Sequence, residues 1–244
     1  MGIHCQRHDE LWCIHISRSE CRNAIDAAHA HALYNAVIDF ERSDAKVAIL
    51  YGEGGHFCAG ADLKAFALGA ANPLHESGDL GPMGPTRLVL SKPIIAAIEG
   101  YCVAGGLELA AWCDLRVGAQ DACFGVFCRR HGVPLIDGGT HRLPRLIGHS
   151  RAMDLILTGR ELSAEEAYDW GLLNRLAPSG EAYQTAVALA HELCRFPQAA
   201  LRADRLSVIE QWGCSETEAL RTEFVRGRTA LAEALEGAKR FSSS

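Results

Sequence analysis

Residues 93–109 read PIIAAIEGYCVAGGLEL. A buried-strand run, Ile94–Ile98, is closed by Glu99-Gly100. The small residues Ala104-Gly105-Gly106 then lead into an apolar helix over 107–112. The same design occurs upstream in residues 46–64, KVAILYGEGGHFCAGADLK. There a strand over 46–51 runs through Gly52-Glu53-Gly54-Gly55 into a segment ending Gly60-Ala61-Asp62-Leu63-Lys64. The start of a helix leaves several N–H groups without intrahelical acceptors, and the helix dipole makes that end positive. Small residues let another molecule approach such a backbone closely. Two ends of this kind facing each other would aim a pair of donors at an oxygen gaining negative charge. Glycine-rich turns before helices also cradle phosphates. Neither G-x-G-x-x-G nor G-x-x-x-x-G-K-[ST] occurs in either turn, however. A purely structural pair of turns is the other reading.

Outward from these stretches, the chain alternates strands with helices. Residues 3–7 and 11–16 read as short strands around His8-Asp9-Glu10. The spacing of Leu33, Val37 and Phe40 predicts a helix over 27–42, with Asp26 as its N-cap. Further short strands are expected at 115–117 and 123–124, and 69–85 reads as a mobile surface loop rich in Gly, Pro, Asn, Asp and Ser. Beyond Ala177 the strand signals stop, and helical patterns follow at 181–195, 198–212 and 215–236. The class is α/β, with strands so short and irregularly spaced that a tightly turned spiral fits better than a long open sheet.

Composition narrows the partners. The 244 residues are 48% hydrophobic, which excludes a disordered chain. Against 24 Lys plus Arg stand 30 Asp plus Glu, for a net charge of −6, a poor match for nucleic acid or anionic lipid. No apolar run reaches the length of a membrane span, and residues 1–7 hold no apolar segment long enough for a secretory signal. The ten cysteines form no C-x-x-C pair and have no histidine pair at zinc spacing. They read as reduced, mostly buried thiols, no metal site is expected, and the expected location is cytoplasmic.

The order and spacing of several segments resemble the crotonase (enoyl-CoA hydratase/isomerase) superfamily. The carrying residues are 57–63 (FCAGADL), 100–109 (GYCVAGGLEL), 111–116 (AWCDLR), Gly138-Gly139-Thr140 with Arg142-Leu143-Pro144, Leu157-Thr158-Gly159, and 164–173 (AEEAYDWGLL). The resemblance implies a spiral of ββα turns over 1–190, carrying an acyl-CoA site. A C-terminal helical trimerisation region over 191–244 would follow it. It further implies a homotrimer or dimer of trimers and a coenzyme A thioester as substrate, with no bound cofactor. The thioester oxygen would be held as an enolate by the N–H groups of Ala61 and Gly105. Backbone near Cys21, Ala59 and Leu63 would meet the adenine, and Arg22, Lys64, Lys239 and Arg240 are candidates for the phosphates.

Glu108 occupies the position of one family acid/base, about one turn beyond Gly105 in an otherwise apolar helix. Burial there would raise its pKa into a range useful for proton transfer. The alternative is an ion pair with Arg116 or Arg129. Where hydratases carry a second Glu, this chain has Cys128, read either as an inert pocket-lining thiol or as a nucleophile. Asp137 stands where dienoyl-CoA isomerases of the family carry a catalytic Asp, and it is also a candidate N-cap for the following helix. His131 is a third titratable candidate, and beside two arginines it reads also as a surface or ion-network residue. The expected activity is that of an enoyl-CoA hydratase/isomerase in fatty-acid or related acyl-CoA metabolism. A (di)enoyl-CoA isomerase using Glu108 and Asp137 and a non-catalytic acyl-CoA-binding subunit are the alternatives.

Overall fold

The computed structural model describes residues 2–242, without the side chains of Ala232, Glu236, Arg240 and Ser242. Apolar runs become strands, and the chain winds them into two sheets. β1 (Ile3–His8) and β2 (Leu11–Ile16) form the expected antiparallel hairpin, followed by α1 (Ala27–Arg42). β3 (Val47–Gly52) then leads through Cys58 to α2 (Leu63–Ala67). β4 (Ile94–Ile98) leads through β5 (Tyr101–Val103) to α3 (Gly105–Trp112). β6 (Leu115–Ala119) leads through β7 (Cys123–Gly125) and a 3-10 turn, Phe127–His131, to α4 (Gly139–Ile147) and α5 (His149–Thr158). Each circuit therefore gives one strand to a large sheet, one strand or bridge to a small one, and a helix. The chain returns through β8 (Leu162–Ser163), α6 (Ala164–Asp169) and β9 (Arg175–Ala177). The large sheet has the order β1-β2-β3-β4-β6-β9 and is parallel after its first pair; the small sheet is β5-β7-β8.

The strands β3 and β4 do not alternate in hydrophobicity because both faces of a parallel sheet are covered. Ile49, Leu50, Ile95, Ala96 and Ala97 are all fully buried. α7 (Ala182–Arg195) packs on β3, β4 and β6, bringing Ala182, Ala186 and Ala190 against the sheet. The expected boundary between residues 190 and 191 thus falls inside a helix of the sheet layer. α1 buries Leu33, Val37 and Phe40 completely, each worth about 1.5–3 kcal/mol. Asp26 caps it as expected, accepting the His29 N–H at 3.0 Å. Asp26→Ala is expected to lose about 1 kcal/mol, a fall of ~2–4 °C in Tm measurable by thermal unfolding.

Two expectations are corrected. The helix predicted over 215–236 is two helices, α9 (Glu216–Thr229) and α10 (Leu231–Ser242), after α8 (Gln198–Glu210). The break falls at Ala230, whose N–H turns to the Gly227 and Arg228 carbonyls, while Thr229 Oγ1 donates to Arg226 O at 2.6 Å. The segment 69–85 is not a surface loop throughout. Residues 81–86 are buried, Gly81 and Gly84 exchange backbone hydrogen bonds of 2.8 and 2.9 Å, and Asn72 Nδ2 donates to Ile25 O and Pro82 O.

Candidate active site

The two small-residue turns meet. Cys58 N–H donates to Tyr101 O at 3.0 Å and Val103 N–H to Cys58 O at 3.1 Å, so the segment before α2 lies beside β5. Glycine makes this approach possible: a Cβ on Gly106 would lie 2.1 Å from Cys58 O, and one on Gly60 only 2.8 Å from Gly105 N. On either side of Ala61, the chain is bonded to Ile25: Gly60 O accepts its N–H, and Asp62 N–H donates to its carbonyl. The alternation of extended backbone turns the Ala61 N–H away from Ile25. Gly105 is the first residue of α3, where no intrahelical acceptor exists. Among the described residues neither N–H donates to a protein acceptor, and Ala61 and Gly105 line one cavity of about 280 Å³. Ala104, between the turn and the helix, adopts φ 53° and ψ −127°, a conformation that costs an L-residue of order ~1–3 kcal/mol. Its ψ sets the direction of the Gly105 N–H, and its own N–H is anchored on Gly125 O at 2.9 Å.

The cavity wall is largely apolar, with Phe66, Leu74, Met83, Val133 and Ile136 among its residues, and Glu108 and Asp137 both reach it. Glu108 is 3% exposed. Its Oε1 accepts two backbone N–H groups, from Asp137 at 2.9 Å and Gly139 at 2.8 Å. Among the described residues Oε2 makes no hydrogen bond. Burial pushes the Glu108 pKa up to about 7, against the pull of those N–H groups, and the nearby Asp137 adds to the rise. The expected alternative, an ion pair, does not occur. Arg116 serves the carbonyls of Leu172 and Cys113 at 2.6 Å each, and Arg129 donates to Ile156 O.

Asp137 is not the N-cap of α4. That position is Gly138, without a side-chain cap, and the first N–H of the helix goes to Glu108 instead. Asp137 Oδ1 accepts from Met83 N–H at 2.9 Å and Thr86 Oγ1 at 2.5 Å. Burial raises its pKa too. Arg142 ties the same region together through backbone, donating to Asp137 O and Thr86 O rather than to a carboxylate. Cys128 lines the cavity, and burial, then the nearby Glu108, push its pKa up, which keeps it a neutral thiol. His131 is exposed at the cavity.

Of the positions expected to hold coenzyme A, Arg22, Ala59 and Leu63 line the cavity, with the Arg22 guanidinium 4.9 Å above the Tyr101 ring. Cys21 and Lys64 do not line it. Cys21 Sγ turns back to Arg18 O, and Lys64 is exposed on α2. Lys239 lies on α10 and does not line it either, and the Arg240 side chain is outside the described residues. Asn72, Met83 and Thr86 carry no local signal, because each acts on residues far away in the chain.

The sequence profile of the enoyl-CoA hydratase/isomerase family matches residues 6–234. Among curated relatives, the mevalonyl-coenzyme A hydratase of Aspergillus fumigatus is 35% identical over 205 residues, covering 83% of this chain and 76% of that protein. The carnitinyl-CoA dehydratase of Salmonella typhi is 37% identical over 208 residues, covering 83% and 78%. Among solved structures, an enoyl-CoA hydratase from Mycobacterium tuberculosis H37Rv superposes with a TM-score of 0.93 at 37% identity, covering 99% of this chain and 96% of that one. An enoyl-CoA hydratase from Mycobacterium marinum gives 0.93 at 36% identity, with the same coverage.

Proposed function

The chain belongs to the enoyl-CoA hydratase/isomerase family, and we propose that it turns over acyl-CoA thioesters with Glu108 as its acid/base. One observation carries this reading: two unpaired N–H groups and a buried carboxyl of pKa about 7 share one apolar cavity. The thioester oxygen accepts from Ala61 and Gly105. Glu108 keeps Oε1 on its two backbone donors and moves the proton on Oε2. As a carboxylate it removes a proton from Cα, and the electron pair passes to the thioester oxygen, where the two donors stabilise it. Glu108 then returns that proton to a β-hydroxyl, which leaves as water while the enolate electrons form the Cα–Cβ double bond, and the reverse sequence is hydration. With a 3-enoyl thioester the same abstraction gives a dienolate, and return of the proton to its Cγ moves the double bond to Cα–Cβ. The titration of Glu108 near neutrality suits both directions.

A second reading, double-bond isomerisation assisted by Asp137, is favoured by Cys128. A neutral thiol beside Glu108 is a poor second acid/base, whereas Asp137 lies at the same cavity with a raised pKa. Asp137→Asn keeps an acceptor for Met83 and Thr86. It is expected to cut turnover of 3-enoyl- or 2,4-dienoyl-CoA about 100-fold or more while sparing 2-enoyl-CoA hydration. Equal losses on all three substrates, with a lowered Tm, would leave Asp137 only the task of holding residues 81–86. Binding of coenzyme A esters without turnover of any of them would make the chain a binding subunit instead.

The helices beyond α7 expose Leu220, Phe224, Val225, Leu231 and Leu235, a surface that supports an oligomerisation region and a homotrimer or dimer of trimers. In that assembly a neighbouring subunit adds cations for coenzyme A to Arg22, which this chain brings to the cavity. No helix among the described residues is long and apolar enough to cross a membrane. The ten free thiols support a cytoplasmic location.

A further inference from the structure

At the β1–β2–β3 end of the large sheet, register assembles a cluster that no spacing in the sequence reveals. His4 on β1 lies directly opposite His15 on β2, and His15 lies opposite Tyr51 on β3, two residues before Glu53. Glu53 continues along β2, its N–H bonded to Ile16 O at 2.9 Å. Glu53 Oε1 stands 3.2 Å from His4 Nε2 and 3.3 Å from His15 Nδ1, and the ligand atoms of all three residues lie within 4.8 Å of one another.

We propose that His4, His15 and Glu53 form a binding site for a divalent transition metal, with zinc as its first occupant. His15 provides the second, independent observation. It is 6% exposed, and neither of its ring nitrogens makes a hydrogen bond, although Glu53 is within reach of one. A buried imidazole without a partner is costly, and a metal ion at Nδ1 supplies one. Two imidazoles and a carboxylate make a nitrogen and oxygen donor set of the kind zinc accepts, with a fourth position left for water. Donors sharing a tetrahedral zinc ion are separated by roughly 3.3 Å, which both Glu53 distances match. The two rings are stacked, 6° from parallel with centroids 4.8 Å apart, so one must turn to aim its lone pair at a shared ion. His4, with 41% of its side chain exposed on the edge strand, has the room. Asn23 Nδ2 holds Glu53 O at 2.8 Å and His56 O at 2.6 Å. An ion at Glu53 would therefore clamp the edge strand to the turn that feeds Ala61.

The test is calorimetric titration of zinc chloride into the full chain with its thiols kept reduced. Wild type is expected to bind one equivalent that raises its Tm. His4→Ala and Glu53→Gln are each expected to weaken that binding at least tenfold and to abolish the Tm gain, with circular dichroism unchanged. Cobalt(II) is the second probe, and its spectrum should show a nitrogen and oxygen site without a thiolate charge-transfer band. Should His4→Ala misfold, Glu53→Gln alone still decides. Unchanged zinc affinity in the folded variants, or a cobalt spectrum dominated by thiolate, would overturn the proposal.

Discussion

Glu108→Gln is expected to lower turnover of an enoyl-CoA substrate about 10²–10⁴-fold and, at pH 8, to make the protein more stable. Both effects come from the same burial. The folded-state pKa of about 7 lies above the ordinary glutamate value of 4.5, so between those values the folded chain binds more protons than the unfolded one. The stability contributed by the protonated form is fully present below pH 4.5 and is lost as pH rises through 7. Above that window the ionised group costs the fold about 3 kcal/mol. Gln does not ionise, and its carbonyl oxygen can keep both backbone donors, at 2.9 and 2.8 Å, that Glu108 now holds. The Tm gain should therefore appear at pH 8 and vanish near pH 4.5. For wild type, kcat/KM for abstraction of the α-proton should rise tenfold per pH unit below about 7 and level off above it. A variant with wild-type turnover, or with no pH-dependent difference in Tm, would remove Glu108 from the role proposed for it.

What could be read in the sequence is what depends on neighbours in the chain. The apolar runs of β3 and β4, the buried face and Asp26 cap of α1, and the two small-residue turns are all local patterns, and all appear in the structure. The errors arose where distant residues intervene. Asp137 was a reasonable N-cap for α4 by position, yet the donor at Gly139 is taken by Glu108, 31 residues away, which frees Asp137 to hold residues 83 and 86. That same pairing buries a segment whose composition reads as loop. Periodicity continues across Ala230, so nothing in the hydrophobic pattern marks the break between α9 and α10. A cation's charge does not specify which surface its side chain faces: of the phosphate candidates, Arg22 lines the cavity, while Lys64 stands exposed on α2.

The second large effect is expected from Gly60→Ala, a substitution that adds one methyl group and touches no titratable residue. The added Cβ would lie 2.8 Å from Gly105 N, 3.0 Å from Ala104 Cβ and 3.3 Å from Val103 O. Real Cβ atoms do not approach backbone so closely, so the Gly105 turn must move away from Ala61. The two N–H groups then no longer converge on one oxygen. Loss of one such donor costs about 2.7–4 kcal/mol in the transition state, so kcat should fall about 10²–10³-fold. Because the thioester oxygen carries its charge only in the enolate, KM should change far less than kcat. Alanine at φ +94° also carries a backbone penalty. Gly148→Ala separates the two causes: Gly148 has φ +83° with nothing within 4 Å of an added Cβ, and it sits between α4 and α5. Both variants should lose stability by thermal unfolding, Gly60→Ala the more because of its clash, but only Gly60→Ala should lose turnover. Equal kcat in the two would mean that the approach of Gly60 to Gly105 serves packing alone, and that the enolate is held elsewhere.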